Sequence, residues 1–151
     1  MRLHIQVDEA GENQGAKVSD LMSTDVFTLS KDDTLKSLHE VFDHKKIRHV
    51  PIVDDNRQVV GLVSQRDFLD HAMSKLIRIR KDDVDTMYSQ IRISEVMAKK
   101  VMTVSPGTPL SVAGASMLEH KYGCLPVIEN DRLVGIITES DFVKAFVSYD
   151  D

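Results

Sequence analysis

Apolar residues recur along the chain with two different periods. Leu35, Leu38, Val41 and Phe42 fall at helical spacing and predict an amphipathic helix over about residues 34–45. Leu110, Val112, Ala113, Met117 and Leu118 predict a second helix over about 109–120, with Pro109 suited to its first position. Short apolar runs bounded by polar turns predict strands at 50–53, 59–63, 125–128 and 133–137. The turns are Asp54-Asp-Asn-Arg57 and Glu129-Asn-Asp131. β-prone stretches at 26–29 and 101–104 precede the two helices, and further helices start at Ser64 and Thr138. A short helical turn opens each series, with Ser19 or Ser94 as its N-cap.

The pattern is a repeat with an offset of about 75 residues. Val18-Ser-Asp-Leu-Met22 and Ile93-Ser-Glu-Val-Met97 open the two copies. Val50-Pro51-Ile-Val53 then matches Leu125-Pro126-Val-Ile128. After one deletion in the turn, Gly61-x-x-Ser64-x-x-Asp67-Phe68 matches Gly135-x-x-Thr138-x-x-Asp141-Phe142. The expected class is α/β (α+β), two β-α-β-β-α units at 17–71 and 93–147. One such unit buries too little surface to stand well alone, so the two are expected to share a core. Residues 72–92 form a helical connector, in which Met73, Leu76, Ile77 and Ile79 can prolong the preceding helix. Residues 1–16 and 148–151 are tails; Leu3, Ile5 and Val7 alternate as in an edge strand, and Glu9 to Gly15 reads as flexible.

Composition narrows the function classes. The chain has 151 residues, 42% of them hydrophobic, a size and balance typical of a globular protein. A net charge of −5 and an aromatic content of 5% disfavour a nucleic-acid surface. No apolar run approaches the roughly 20 residues that span a bilayer, and no secretory signal is visible. A single cysteine, Cys124, excludes an internal disulfide and fits a cytoplasmic protein.

Ser64 and Thr138 stand where strands end and helices begin, so their hydroxyls can cap the helix or meet a phosphate. Asp67 and Asp141 follow three residues later. An ionised carboxylate only accepts hydrogen bonds and suits the paired hydroxyls of a ribose. Capping is the plain alternative, since Ser-x-x-Asp is a capping-box spacing, and one residue can do both. Gly61 and Gly135 allow close backbone approach. The other candidates fail. His39, His44 and His49 do not share a helix face, and His120 with Cys124 lacks the partners that metal or nucleophilic chemistry requires. There is no phosphate-binding glycine loop and no base–nucleophile set, so no catalysis and no required cofactor are expected.

The duplicated Met22/Met97 openings, Pro51/Pro126 strands and Gly-x-x-Ser/Thr-x-x-Asp segments resemble the CBS-domain family, here as a stand-alone tandem pair, or Bateman module. The resemblance implies a pseudo-two-fold module whose clefts take adenosine-containing ligands: AMP, ADP, ATP or S-adenosylmethionine. It implies that each cleft is built across the repeats. The Asp67 cleft would use Ser64 and Arg66, with a wall near Ala98–Met102, including Val101 and Met102, and near Tyr122–Cys124. The Asp141 cleft would use Thr138 and Ser140, with a wall from Ser23–Phe27, including Val26 and Phe27, and from Ile47, Arg48 and His49. Arg48 and His49 are phosphate partners, which favours the Asp141 cleft. Thr28 and Thr103 can assist, and Met22, Met97 and Met102 can line base pockets. The expected function is a non-catalytic sensor that signals as a homodimer or to a regulated protein. The alternative is a constitutive dimerisation or interaction protein with vestigial clefts.

Overall fold

The helical and alternating periods become helices and hairpins, twice over. In the computed structural model the described residues are 6–7, 13–76, 80 and 83–149. In chain order the elements are β1 (Gln6–Val7), β2 (Asn13–Gln14), α1 (Val18–Leu21), α2 (Leu35–Lys45), β3 (His49–Val53) and β4 (Val59–Ser64). Then come α3 (Gln65–Leu76), α4 (Val84–Gln90), a 3-10 turn at Ile93–Glu95, α5 (Leu110–His120), β5 (Cys124–Glu129), β6 (Arg132–Thr138) and α6 (Glu139–Tyr149). The class is mixed α/β, with hairpins and helices in each of two repeats.

The compact units do not coincide with the sequence repeats. One is contiguous, Phe27–Val101; the other is composite, Met1–Val26 with Met102–Asp151. Each therefore contains one repeat's hairpin and the opening segment of the other repeat. The contiguous unit packs Leu35, Leu38, Val41 and Phe42 of α2 against Val50, Ile52, Val63, Phe68, Ala72, Tyr88 and Ile93. The composite unit packs Val18 and Ala16 against Leu110, Ala113, Met117, Leu125, Val127 and Ile137. Each fully buried Leu, Ile or Phe contributes roughly 1.5–3 kcal/mol.

The two hairpins are antiparallel and share their irregularities. Ile52 pairs Gly61 and Val53 pairs Val59, so Val60 is an extra residue in a bulge; Val127–Gly135 and Ile128–Leu133 leave Val134 in the same position. Asn130 and Asp131 close the β5–β6 turn with φ of 53° and 63°, the left-handed pair that a two-residue hairpin loop requires. In the β3–β4 loop the Asp54 carboxylate instead accepts the Asn56 and Gln58 N–H groups, each at 2.9 Å.

Several local expectations are corrected. The β-prone stretches at 26–29 and 101–104 are single parallel bridges, Leu29–Ile52 and Val104–Val127. The Leu29 N–H donates to the Pro51 carbonyl at 3.3 Å, and the Val53 N–H donates to Leu29 at 3.0 Å. Extending that ladder would require an N–H from Pro51, which has none; Pro126 blocks the other repeat in the same way. Pro109 is the N-cap of α5 and not its first helical residue. Ser19 and Ser94 lie inside their turns, whose caps are Lys17 and Arg92. Their N–H groups donate to the Asp20 and Glu95 carboxylates at 2.8 and 2.9 Å, so side chains three residues on tie these ends. Asn13–Gln14 pairs with Gln6–Val7 as its own short hairpin, so Val7 joins no repeat hairpin. Leu3, Ile5, Ile77 and Ile79 lie outside the described residues. The connector carries α4, whose Tyr88 is buried against Phe68, ring centroids 5.5 Å apart.

Candidate functional site

The strand-to-helix corners after β4 and β6 hold the Ser64/Asp67 and Thr138/Asp141 pairs. At the start of α6, the Thr138 N–H donates to Asp141 Oδ2 at 2.9 Å, and the Thr138 hydroxyl donates to the same oxygen at 3.1 Å. The Asp141 N–H contacts Thr138 Oγ1 at 3.2 Å. This is a complete capping box. At the start of α3 only half of it forms: the Asp67 N–H donates to Ser64 Oγ at 3.0 Å. The Asp67 side chain is exposed, and its carboxylate has no hydrogen bond among the described residues. The capping alternative is thus realised at both corners, with different use of the carboxylates.

A second difference comes from the opening segments. Ser23 forms a two-way backbone bridge with Ile136 on the outer edge of β6, both N–H···O distances being 2.9 Å. That bridge sets the Ser23 hydroxyl 3.4 Å from Asp141 Oδ1. In the contiguous unit Ala98 makes the same bridge, to Leu62, at 2.9 and 3.0 Å, and has no hydroxyl to offer Asp67. The room left by the two glycines is already occupied. Met97 packs its sulfur over Gly61, and Met22 lies over Gly135, where an added Cβ would meet the sulfur at 2.8 Å. The close approach at these glycines is therefore made by the chain's own opening segments.

The remaining candidates divide between the units. The composite unit holds Val26, Met102, Tyr122, Thr138, Ser140 and Asp141; the contiguous unit holds Phe27, Ile47, Arg48, His49, Ser64, Arg66, Asp67 and Val101. Within the contiguous unit His49 lies directly across the hairpin from Ser64, and the Arg48 carbonyl accepts the Gln65 N–H at 2.7 Å. Arg48 and Arg66 are exposed, and Ile47 packs on the core. The Lys45 ammonium lies 5.7 Å above the half-exposed Phe27 ring. In the composite unit Cys124 lies across from Thr138, and Tyr122 stacks on His120 at 5.4 Å between centroids. Burial pushes the Cys124 thiol up to about 12, which leaves it protonated and unreactive at neutral pH. Among the described residues no three His, Cys, Asp or Glu side chains are placed to hold a metal ion. Among them, too, no helix is long and apolar enough to cross a membrane.

The sequence profile of the CBS domain matches residues 18–74 and 93–148. A Vibrio cholerae protein, AcuB, assigned to acetoin utilization, has a crystal structure that superposes with a TM-score of 0.74 at 39% identity, covering 87% of this chain and 90% of that one. CBSX2 of Arabidopsis thaliana in complex with AMP superposes with a TM-score of 0.74 at 26% identity, covering 91% of this chain and all of that one. Among curated relatives, inosine-5'-monophosphate dehydrogenase of Staphylococcus haemolyticus is 33% identical over 141 residues, 91% of this chain. The chain spans only 26% of that enzyme, and 41% of an uncharacterized Methanocaldococcus jannaschii protein to which it is 31% identical. By contrast it spans 90% of a CBS domain-containing protein of Dictyostelium discoideum, at 26% identity. The enzymes thus match over their CBS portion alone. The two matched segments carry the duplicated corners described above, and the chain belongs to the CBS-domain family as a tandem pair of repeats.

Proposed function

We propose that this tandem pair is a non-catalytic cytoplasmic sensor that binds an adenosine-containing ligand at its Ser/Thr-x-x-Asp corners. The observation that carries the reading is the Asp141 carboxylate. Thr138 holds Oδ2 through two donors, which fixes the side chain and leaves Oδ1 turned to the Ser23 hydroxyl. A carboxylate held in advance loses less freedom on meeting a ribose than a free one does. The AMP complex of the CBSX2 relative supports AMP as the first ligand to test, with ADP, ATP and S-adenosylmethionine beside it. Arg48, His49 and Arg66 are the basic groups offered for a phosphate. The ligand would act by favouring one conformation or association state over another, which requires different affinities for the two. Exposed Val143, Phe146 and Val147 on α6 support self-association into a homodimer, or docking to a regulated protein, as the output.

A second reading is a constitutive interaction protein with vestigial corners. The completeness of the α6 capping box favours it, because capping alone accounts for the Thr138–Asp141 pair. Thermal melting with each of the four ligands separates the two. A ligand at about 100 times its Kd stabilises by about 2.7 kcal/mol, a rise on the order of 5–10 °C for a chain of this size. Asp141→Ala is expected to remove most of that rise and Asp67→Ala less. No rise with any of the four supports the second reading.

A further inference from the structure

We propose that Ser23 is a specificity-determining residue of the Asp141 corner, pairing its hydroxyl with the carboxylate to read a vicinal diol. The inference rests on the adenosine reading and deepens it by assigning different chemistry to the two corners. Ser23 is placed by its backbone. Both its N–H and its carbonyl are spent on Ile136, so its Cβ stands at a fixed edge position, from which the hydroxyl reaches within 3.4 Å of Asp141 Oδ1. A serine hydroxyl donates one hydrogen bond and accepts two. While it donates to Asp141 it still offers lone pairs to an arriving hydroxyl.

The state of the carboxylate makes this second group matter. Oδ2 already accepts from the Thr138 N–H and hydroxyl, so both of its lone pairs are in use. A diol presents two donors, and Oδ1 by itself is shared with Ser23. One ligand hydroxyl on Oδ1 and the other on Ser23 Oγ satisfies both donors without breaking the capping box. The Asp67 corner works differently. Its carboxylate is unengaged among the described residues, so each oxygen can take one hydroxyl, and Ala98 adds nothing. Two corners of one chain thus read the same diol in two ways, through a hydroxyl–carboxylate pair and through a carboxylate alone.

Calorimetric titration of the full chain with AMP and with 2',3'-dideoxy-AMP tests this. The variants are Ser23→Ala, Ser23→Thr and Asp141→Asn, each checked by melting for an unchanged fold. Ser23→Ala is expected to weaken the Asp141-dependent binding of AMP about five- to tenfold, the value of one hydrogen bond, and to leave the dideoxy ligand unaffected. Ser23→Thr, which keeps the hydroxyl, is expected to restore AMP affinity. AMP binding that Asp141→Asn removes and Ser23→Ala leaves unchanged overturns the role of Ser23 alone. AMP binding indifferent to Asp141→Asn overturns it too, while the adenosine reading survives at the other corner. No binding of any of the four adenosine ligands to the unaltered chain overturns both.

Discussion

A Cβ on Gly135 would sit 2.8 Å from the Met22 sulfur and 3.0 Å from the Ser23 carbonyl oxygen. The methionine end can swing away, but the carbonyl is fixed by its bond to Ile136. Gly135→Ala is therefore expected to cost about 1–3 kcal/mol, measured by chemical unfolding. Gly61→Ala is expected to cost a similar amount, because the Met97 sulfur crowds the added Cβ, Met97 Cγ stands 2.9 Å from it and the Ala98 oxygen 3.2 Å. Cys124 gives a prediction in pH. Burial raises its thiol from an ordinary 9.0 to about 12, so above pH 9 the unfolded chain loses a proton that the folded chain keeps. Stability from this group is whole below pH 9 and falls as pH rises toward 12. Tyr88, also pushed up by burial and by Asp85, adds to the fall. Cys124→Ala should flatten the slope of unfolding free energy against pH between 9 and 12, and an unchanged slope would contradict the assignment. At this scale the Ser64, Asp67, Thr138 and Asp141 spacing was legible, because a fixed offset along a helix start is a local property. The packing of Met22 on Gly135 was not, because it joins residues more than a hundred positions apart.

Among the elements, α2, α5 and both hairpins are legible from their periods, and α2 and α5 each begin one residue later than expected. The first strand of each repeat shrinks to a single bridge. Its residues favour a strand, but Pro51 and Pro126 lack the N–H that a second rung needs. That signal stood in the sequence and concerned the partner strand, not the segment itself. The opening turns differ from expectation through their own carboxylates. The Asp20 and Glu95 carboxylates cap from within, so the serines at 19 and 94 were not needed at the ends. The corners differ in how much capping each contributes. Thr138→Ala removes both bonds of the hydroxyl, to the Asp141 N–H and to its carboxylate, while the backbone N–H at 138 keeps its bond to Oδ2, and is expected to cost about 1–2 kcal/mol. Asp67→Asn should change stability by less than about 0.5 kcal/mol, since the carboxylate is exposed and has no hydrogen bond among the described residues. Equal effects on the melting temperature would contradict the difference seen between α6 and α3.

At the scale of the whole molecule, the repeat is visible in the sequence, but its division into compact bodies is not. Each body closes only when the opening segment of one repeat bridges the hairpin of the other, at Ser23–Ile136 and Ala98–Leu62. Both corners consequently stand beside residues from the opposite repeat, and this exchange makes Ser23 a neighbour of Asp141. The tandem arrangement is then a condition for the candidate sites and not merely a means of enlarging a small core. The proposed function requires these corners to bind an adenosine ligand through their carboxylates. Equilibrium dialysis of labelled AMP against the full chain and against the double variant Asp67→Asn/Asp141→Asn tests it most directly. Saturable binding to the unaltered chain, lost by the double variant while it remains folded, is the expected result; absence of saturable binding, or equal binding by both, would overturn the proposed function.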